Sequence, residues 1–136
     1  MPPEDAGASE AREWLSKARG DLRAAEHGAT AQPPITGDMV FHAQQVVEKS
    51  LKAFLSRHEV PFRKTHNLVE LGEQSARLEP DLEPLLRKAA YLTEYSWRFR
   101  YPGDAEEPDI DEAREAVDLA AEVLEAILDR IPEPRS

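Results

Sequence analysis

The segment from Phe41 to Lys52 holds the densest set of side chains that could bind a ligand. If the segment is helical, successive residues are about 100° apart around the axis. Four polar side chains then form one group within about 100° of arc. Lysines there would supply positive charge to an anion, and an amide would supply donors and acceptors. The alternative is a solvated ridge with an i, i+4 ion pair worth about 0.3–0.5 kcal/mol. The group consists of Gln45, Glu48, Lys49 and Lys52.

Two basic islands interrupt a chain whose net charge is −10. Residues 41–64 hold five Lys or Arg against two Glu, and residues 87–101 hold four against one. An acidic chain argues against non-specific nucleic-acid binding, because phosphate backbones favour positive charge over the whole footprint. The islands could still bind one phosphate group or a short strand, with Arg98 and Arg100 as guanidinium donors. The alternative interpretation is two solvated patches balanced by acidic neighbours.

Histidines and aromatic residues offer further chemistry, each with a plainer interpretation. His66 either forms a hydrogen bond that holds its loop on the second helix, or contacts a phosphate and transfers a proton. His42 is interpreted as a polar helix-face residue rather than a catalyst. Three aromatic residues could stack on a base or ribose, or could lie in a homodimer interface. The interface is the favoured interpretation. This set is Trp97, Phe99 and Tyr101.

Several classes of site have no sequence support. The absence of cysteine excludes disulfides, thiolate zinc sites and a cysteine nucleophile. The four histidines, His27, His42, His58 and His66, form no i, i+4 pair, so no metal or cofactor is predicted. Phosphate-binding glycine loops and the G-x-S-x-G elbow are also missing. No apolar run reaches about 18 residues and the N-terminus is acidic, so a cytoplasmic protein is expected.

The elements that must position these residues are all helical, since apolar residues recur with a period near 3.6 and no stretch alternates like a strand. The pattern predicts an all-α, antiparallel up-and-down bundle of four long helices plus one short helix. Predicted caps are Ser9, Thr65 and Asp109, the last with Glu112 reaching back. The predicted helices cover about 9–29, 38–58, 65–77, 81–98 and 109–131. One domain is expected over 9–131, with tails at 1–8 and 132–136.

Four segments carry a resemblance to a known family. Residues 41–53 read FHAQQVVEKSLKA, residues 64–68 read KTHNL, residues 98–103 read RFRYPG, and residues 18–25 fit A-x-x-D-L-x-A-A. Together they resemble the HEPN domain family, named for higher eukaryotes and prokaryotes, nucleotide-binding. The resemblance covers about residues 10–130.

The resemblance implies a helical bundle that is often dimeric and encoded beside a minimal nucleotidyltransferase in a toxin–antitoxin-like pair of prokaryotes. Some members are metal-independent ribonucleases with an R-x(4–6)-H motif. That motif is missing here, because Arg23 precedes His27 by only three intervening residues and Arg63 precedes His66 by two. No catalytic residue is therefore carried over, and the chain is not expected to be an enzyme.

The expected function is a homodimeric module that binds a nucleotide or RNA phosphate. Its expected ligand residues are Gln45, Lys49, Lys52, His66, Arg98 and Arg100. Two alternatives stay open: a divergent ribonuclease that uses His66 or His42 with Arg98 or Arg100, and a purely structural interaction protein. The phosphate hypothesis requires the lysines of the second helix and the two arginines to converge in space.

Overall fold

The computed structural model describes residues 6–103 and 106–131. Within these ranges every regular element is a helix, which confirms the all-helical fold class. None of the described helices is long and apolar enough to cross a membrane. The α-helices are α1 (Ala6–Thr30), α2 (Thr36–Arg57), α3 (Leu68–Leu78), α4 (Glu83–Ala89) and α5 (Ile110–Leu128). Short 3₁₀ segments cover Pro80–Leu82 and Ala90–Ser96.

The segment expected to form the fourth long helix has a different structure. It contains the seven-residue α4 between two 3₁₀ segments. Pro80 and Pro84 lie within the first two positions of the first 3₁₀ segment and of α4, where a missing amide donor is tolerated. Further on, the Thr93 hydroxyl donates to Ala90 O at 2.8 Å and the Ser96 hydroxyl donates to Thr93 O at 2.8 Å. Such local side-chain bonds compete with regular α-helical pairing, so the described fold has three long helices.

Helix α2 lies at the centre of the fold and contacts α1, α3, α5 and the 90–96 segment. Its apolar residues face the core, and several polar ones are also enclosed. Small residues on α1, namely Ala11, Ala18 and Ala25, are buried and allow α2 to approach closely. Because α2 is covered on most sides, a buried polar side chain on it is costly unless it finds a partner within the protein.

Two of the predicted helix starts are wrong. Helix α1 already includes Ala6, so Ser9 lies inside the helix. Helix α3 is capped by Asn67, whose side-chain oxygen accepts from Val69 N at 2.9 Å. The predicted cap, Thr65, instead accepts from Asn67 N at 3.0 Å and so supports the true cap.

Asp109 caps α5 as predicted, but the Glu112 carboxylate, expected to reach back to the cap, bonds to Tyr95 instead. Asp109 accepts from Glu112 N at 2.8 Å. The Glu112 carboxylate accepts a hydrogen bond from the hydroxyl of Tyr95, which is 2% exposed. This bond joins the 90–96 segment to the first turn of α5.

Parts of the predicted tails fall outside the described residues, namely 1–5 at the N-terminus and 132–136 at the C-terminus. Residues 6–8 of the predicted N-terminal tail belong to α1. The start of α2 packs against the loop that precedes α5, where Pro108 is buried and the Glu107 carboxylate lies beside Gly37.

Replacement of Tyr95 by phenylalanine tests the bond to Glu112. We expect Tyr95→Phe to lower the free energy of unfolding by about 1 kcal/mol, because the Glu112 carboxylate loses its donor. Burial, reinforced by the hydrogen bond to Glu112, raises the pKa of Tyr95 well above its ordinary value. The wild type should therefore lose this stability as the pH rises above about 10, whereas the variant should not.

Urea unfolding of both proteins at pH 7 and at about pH 11, inside the window of the expected loss, measures this difference. Tyr91→Phe is the matched control, since Tyr91 is 46% exposed. Equal stability of Tyr95→Phe and the wild type would show that the bond contributes nothing.

Candidate functional site

Glu48, near the middle of α2, is the centre of a buried polar cluster. Its Oε1 accepts from Gln44 Nε2 at 3.0 Å and from His66 Nδ1 at 2.7 Å. Its Oε2 accepts from Lys52 Nζ at 3.0 Å. Burial alone raises the pKa of this carboxyl, but the bonds from Gln44, His66 and Lys52 outweigh it, and the pKa of Glu48 is lowered overall. Glu48 is therefore an ionised carboxylate inside the protein, 3% exposed.

Lys52 is enclosed together with Glu48. The residue is 6% exposed, and its ammonium lies 5.3 Å from the ring centre of Trp14 and 6.0 Å from that of Phe62. The i, i+4 pair with Glu48 exists as the spacing predicts, but it is not on a solvated ridge. Loss of either partner would leave a buried charge without its counter-ion.

His66 follows α2 in the loop before α3 and joins the cluster from outside. Its Nδ1 donates to the Glu48 carboxylate, so in the neutral ring Nε2 carries the lone pair. The His66 side chain remains 68% exposed, and its carbonyl accepts from Gln44 Nε2 at 3.2 Å. These bonds hold the loop on α2, which is one of the two roles expected for this residue. An imidazole fixed in this way could also exchange a proton at Nε2.

A second cluster joins α2 to α1. Asp21 accepts from His42 Nδ1 at 2.8 Å and from Lys49 Nζ at 2.6 Å. Lys49 is therefore neutralised by a carboxylate of the neighbouring helix, and His42 is a polar member of the helix face, as interpreted. Gln45 lies between the clusters and donates to the side-chain oxygen of Gln44 at 2.6 Å.

The two arginines lie elsewhere. Arg98 pairs with Glu94 at 2.6 Å, one turn earlier in the chain. The Arg100 guanidinium lies 3.8 Å from the ring centre of Phe41 and 3.8 Å from Asp38, both in the first turns of α2. Lys52 is eleven residues beyond Phe41, which is about 16 Å along a helix. The structure therefore does not bring Arg100 together with Lys52.

The three aromatic residues near the arginines have different environments. Trp97 is 59% exposed and Tyr101 is 69% exposed. Phe99 instead packs on Tyr95, with ring centres 6.1 Å apart, and its backbone lies in the left-handed region at φ 67°. Trp97 and Tyr101 thus present apolar surface to a ligand or a partner, whereas Phe99 packs within the chain.

An open cavity of about 850 Å³ lies beside His66 and Lys52. Its walls come from the start of α1, the end of α2 and the loop between α2 and α3. Four residues that sequence reasoning missed line it, namely Trp14, Ser56, Phe62 and Lys64. Ser56, Phe62 and Lys64 lie within nine residues of one another, and Lys64 belongs to the KTHNL segment. Trp14 comes from a distant segment, so no local spacing could add it to them.

These features define an all-helical domain with a buried acid–lysine–histidine cluster between its central helix and the following loop. The family model of the HEPN domain matches residues 11–131. The chain therefore belongs to the HEPN domain family, and this confirms the resemblance read from its motifs. Membership supports a module related to nucleotides or RNA. Searches of curated proteins and of solved structures found no match.

Replacement of Glu48 by glutamine tests the cluster. Glu48→Gln keeps the side-chain shape but leaves the buried Lys52 without a counter-ion, so we expect a loss of about 3 kcal/mol in the free energy of unfolding. Because the pKa of Glu48 in the folded protein lies below the ordinary 4.5, its contribution is complete above that pH. The contribution is lost as the pH falls through the lowered pKa.

Urea unfolding at pH 7, and at steps from pH 5 downwards, provides the measurement. The difference between wild type and Glu48→Gln should shrink as the pH falls. Glu73→Gln, on the exposed face of α3, is the control for loss of one carboxylate. A Glu48→Gln protein as stable as this control would refute the central role of the cluster.

Proposed function

We propose that the protein binds the phosphate of a nucleotide or of RNA at the mouth of the cavity beside His66. The observation that carries the proposal is the convergence of His66, Lys64 and Lys52 on this one opening. Lys64 and His66 are exposed, whereas the charge of Lys52 is largely balanced by Glu48. Lys64 would therefore contact the phosphate directly, and His66 would do so through Nε2 when its ring is protonated, with Lys52 adding to the local field.

The other expected ligand residues have different parts in this proposal. Gln45 and Lys49 are engaged within the protein and would support the site through α2 rather than contact the phosphate. Arg98 and Arg100 would form a second contact region near the start of α2. Only a strand long enough to span α2 would reach both regions.

We further propose that the module acts as a homodimer in the cytoplasm of a prokaryote and partners a minimal nucleotidyltransferase in a toxin–antitoxin-like pair. The support is the family itself, since HEPN domains commonly dimerise. The exposed side chains of Trp97 and Tyr101 supply apolar surface for either contact.

Paired double variants test the phosphate site. The Lys64→Ala/His66→Ala protein should bind a short labelled RNA and ATP at least about tenfold more weakly than the wild type, since two direct phosphate contacts are lost. The matched Arg98→Ala/Arg100→Ala protein removes two nitrogen-bearing side chains at the other region. It should leave ATP binding unchanged and weaken only the longer strand.

Fluorescence anisotropy for RNA and calorimetry for ATP measure these affinities, and each should fall with added salt. Loss of ATP binding in the arginine variant alone would place the phosphate at the start of α2 instead. A wild type that binds neither RNA nor any nucleotide would refute the function.

A second candidate function is a ribonuclease, and the bond from His66 to Glu48 is the observation that favours it. In such a reaction Nε2 of His66 would accept the proton of the RNA 2′-hydroxyl as its oxygen attacks the adjacent phosphorus. The bond from phosphorus to the 5′-oxygen would break, and that oxygen would take a proton from water. Arg100 lies at Phe41, whereas His66 lies at Glu48, so this version does not use Arg100 as the arginine-assisted one would.

Gel analysis of RNA cleavage in the presence of a chelator tests this candidate. His66→Ala should abolish cleavage, and Glu48→Gln should lower the rate at least about tenfold in protein shown by circular dichroism to be folded. Arg100→Ala should cleave like the wild type. Cleavage that survives His66→Ala would come from another residue or from a contaminant and would contradict the candidate.

A further inference from the structure

We propose that the cavity between the start of α1, the end of α2 and the 59–66 loop is a binding site for a ribonucleoside monophosphate. Its ring would lie against Trp14 and Phe62, and its phosphate would lie at Lys64 and His66. The inference rests on the proposed function and adds the class of ligand to it. Three independent features of the cavity carry it.

The first feature is an aromatic wall. Trp14 of α1 and Phe62 of the loop contact edge to face, with ring centres 6.5 Å apart and planes at 62°. Both are partly buried and both line the cavity. Aromatic surfaces of this kind hold planar heterocycles by stacking, largely irrespective of the base.

The second feature is a buried hydroxyl. Ser56, on the last turn of α2, lines the cavity and is 5% exposed. Its Oγ has no hydrogen-bond partner among the described residues. A buried polar group without a partner is costly. The Oγ is covered by the protein, so a ring nitrogen or oxygen of a base would satisfy it once the side chain turns towards the cavity. Since Ser56 is buried whereas Lys64 and His66 are exposed, this contact would lie deeper than the phosphate.

The third feature is the charge of the lining. The exposed Glu10 and Glu59 lie in the same wall as the exposed Lys64 and His66. Two carboxylates would repel the additional phosphates of a triphosphate but accept hydrogen bonds from ribose hydroxyls, as acidic residues do in dinucleotide-binding folds. The lining therefore favours one phosphate and a ribose. The volume, about 850 Å³, is ample for a ligand of this size.

Calorimetric titration of the full chain with AMP tests the inference. We expect one site per chain, an affinity for AMP at least equal to that for ATP, and about fivefold weaker binding of 2′-deoxy-AMP, which lacks one ribose donor. Phe62→Leu should weaken AMP about tenfold, because it keeps apolar volume but removes the stacking surface. Tyr91→Leu, at an exposed aromatic outside the cavity, should bind AMP like the wild type.

A second pair keeps the test decisive if Phe62→Leu does not fold. Lys64→Glu should weaken AMP at least about tenfold, and Lys88→Glu, at an exposed lysine of α4, should not. Binding of RNA without binding of AMP would overturn the inference and leave the proposed function intact, whereas binding of neither would refute both. Tighter binding of ATP than of AMP, or AMP binding that both Phe62→Leu and Lys64→Glu leave unchanged, would also overturn it.

Discussion

The structure depends on one ionised carboxylate at the centre of its central helix. A buried charge such as Glu48 is tolerated only when donors surround it, and here they come from two places. Gln44 and Lys52 lie one turn away on the same helix, and His66 comes from the following loop. The carboxylate therefore determines where that loop lies, and with it the mouth of the cavity. Such a cluster is weak evidence for stability, but it fixes position, which a binding site needs.

The same cluster explains how an acidic protein can offer a local site for an anion. Most cations of the basic islands are matched within the fold, as Lys49 is by Asp21 and Lys52 is by Glu48. The exposed Lys64 at the cavity mouth is then the cation left to act on a ligand there, beside the imidazole of His66. Elsewhere the net negative charge repels nucleic acid, so binding would depend on fit at this site rather than on a broad electrostatic footprint.

Periodicity predicted much of the fold because it records which side of each helix is covered. Most of the predicted ends of α2 and α5 lie within about two residues of the ends in the structure, which is the usual uncertainty of helix boundaries. Periodicity could not predict the 3₁₀ segment around Thr93, which depends on hydroxyl bonds to the backbone. Spacing alone predicted the pair of Glu48 and Lys52. Its burial depends on Trp14 and Phe62, which come from other parts of the chain and leave no local pattern.

Lys52 and Arg100 do not converge as expected, because the loops that carry the ligand residues attach to α2 at different points. Charge islands are properties of the chain, whereas distance depends on where each loop attaches to α2. The loop with His66 attaches near its middle and C-terminal half, through Glu48. The segment with Arg100 attaches at its start, through Phe41, and the loop beyond it continues past Gly37. Helix α2 thus separates two basic regions along its length, so a small ligand meets one of them and only an extended strand could meet both.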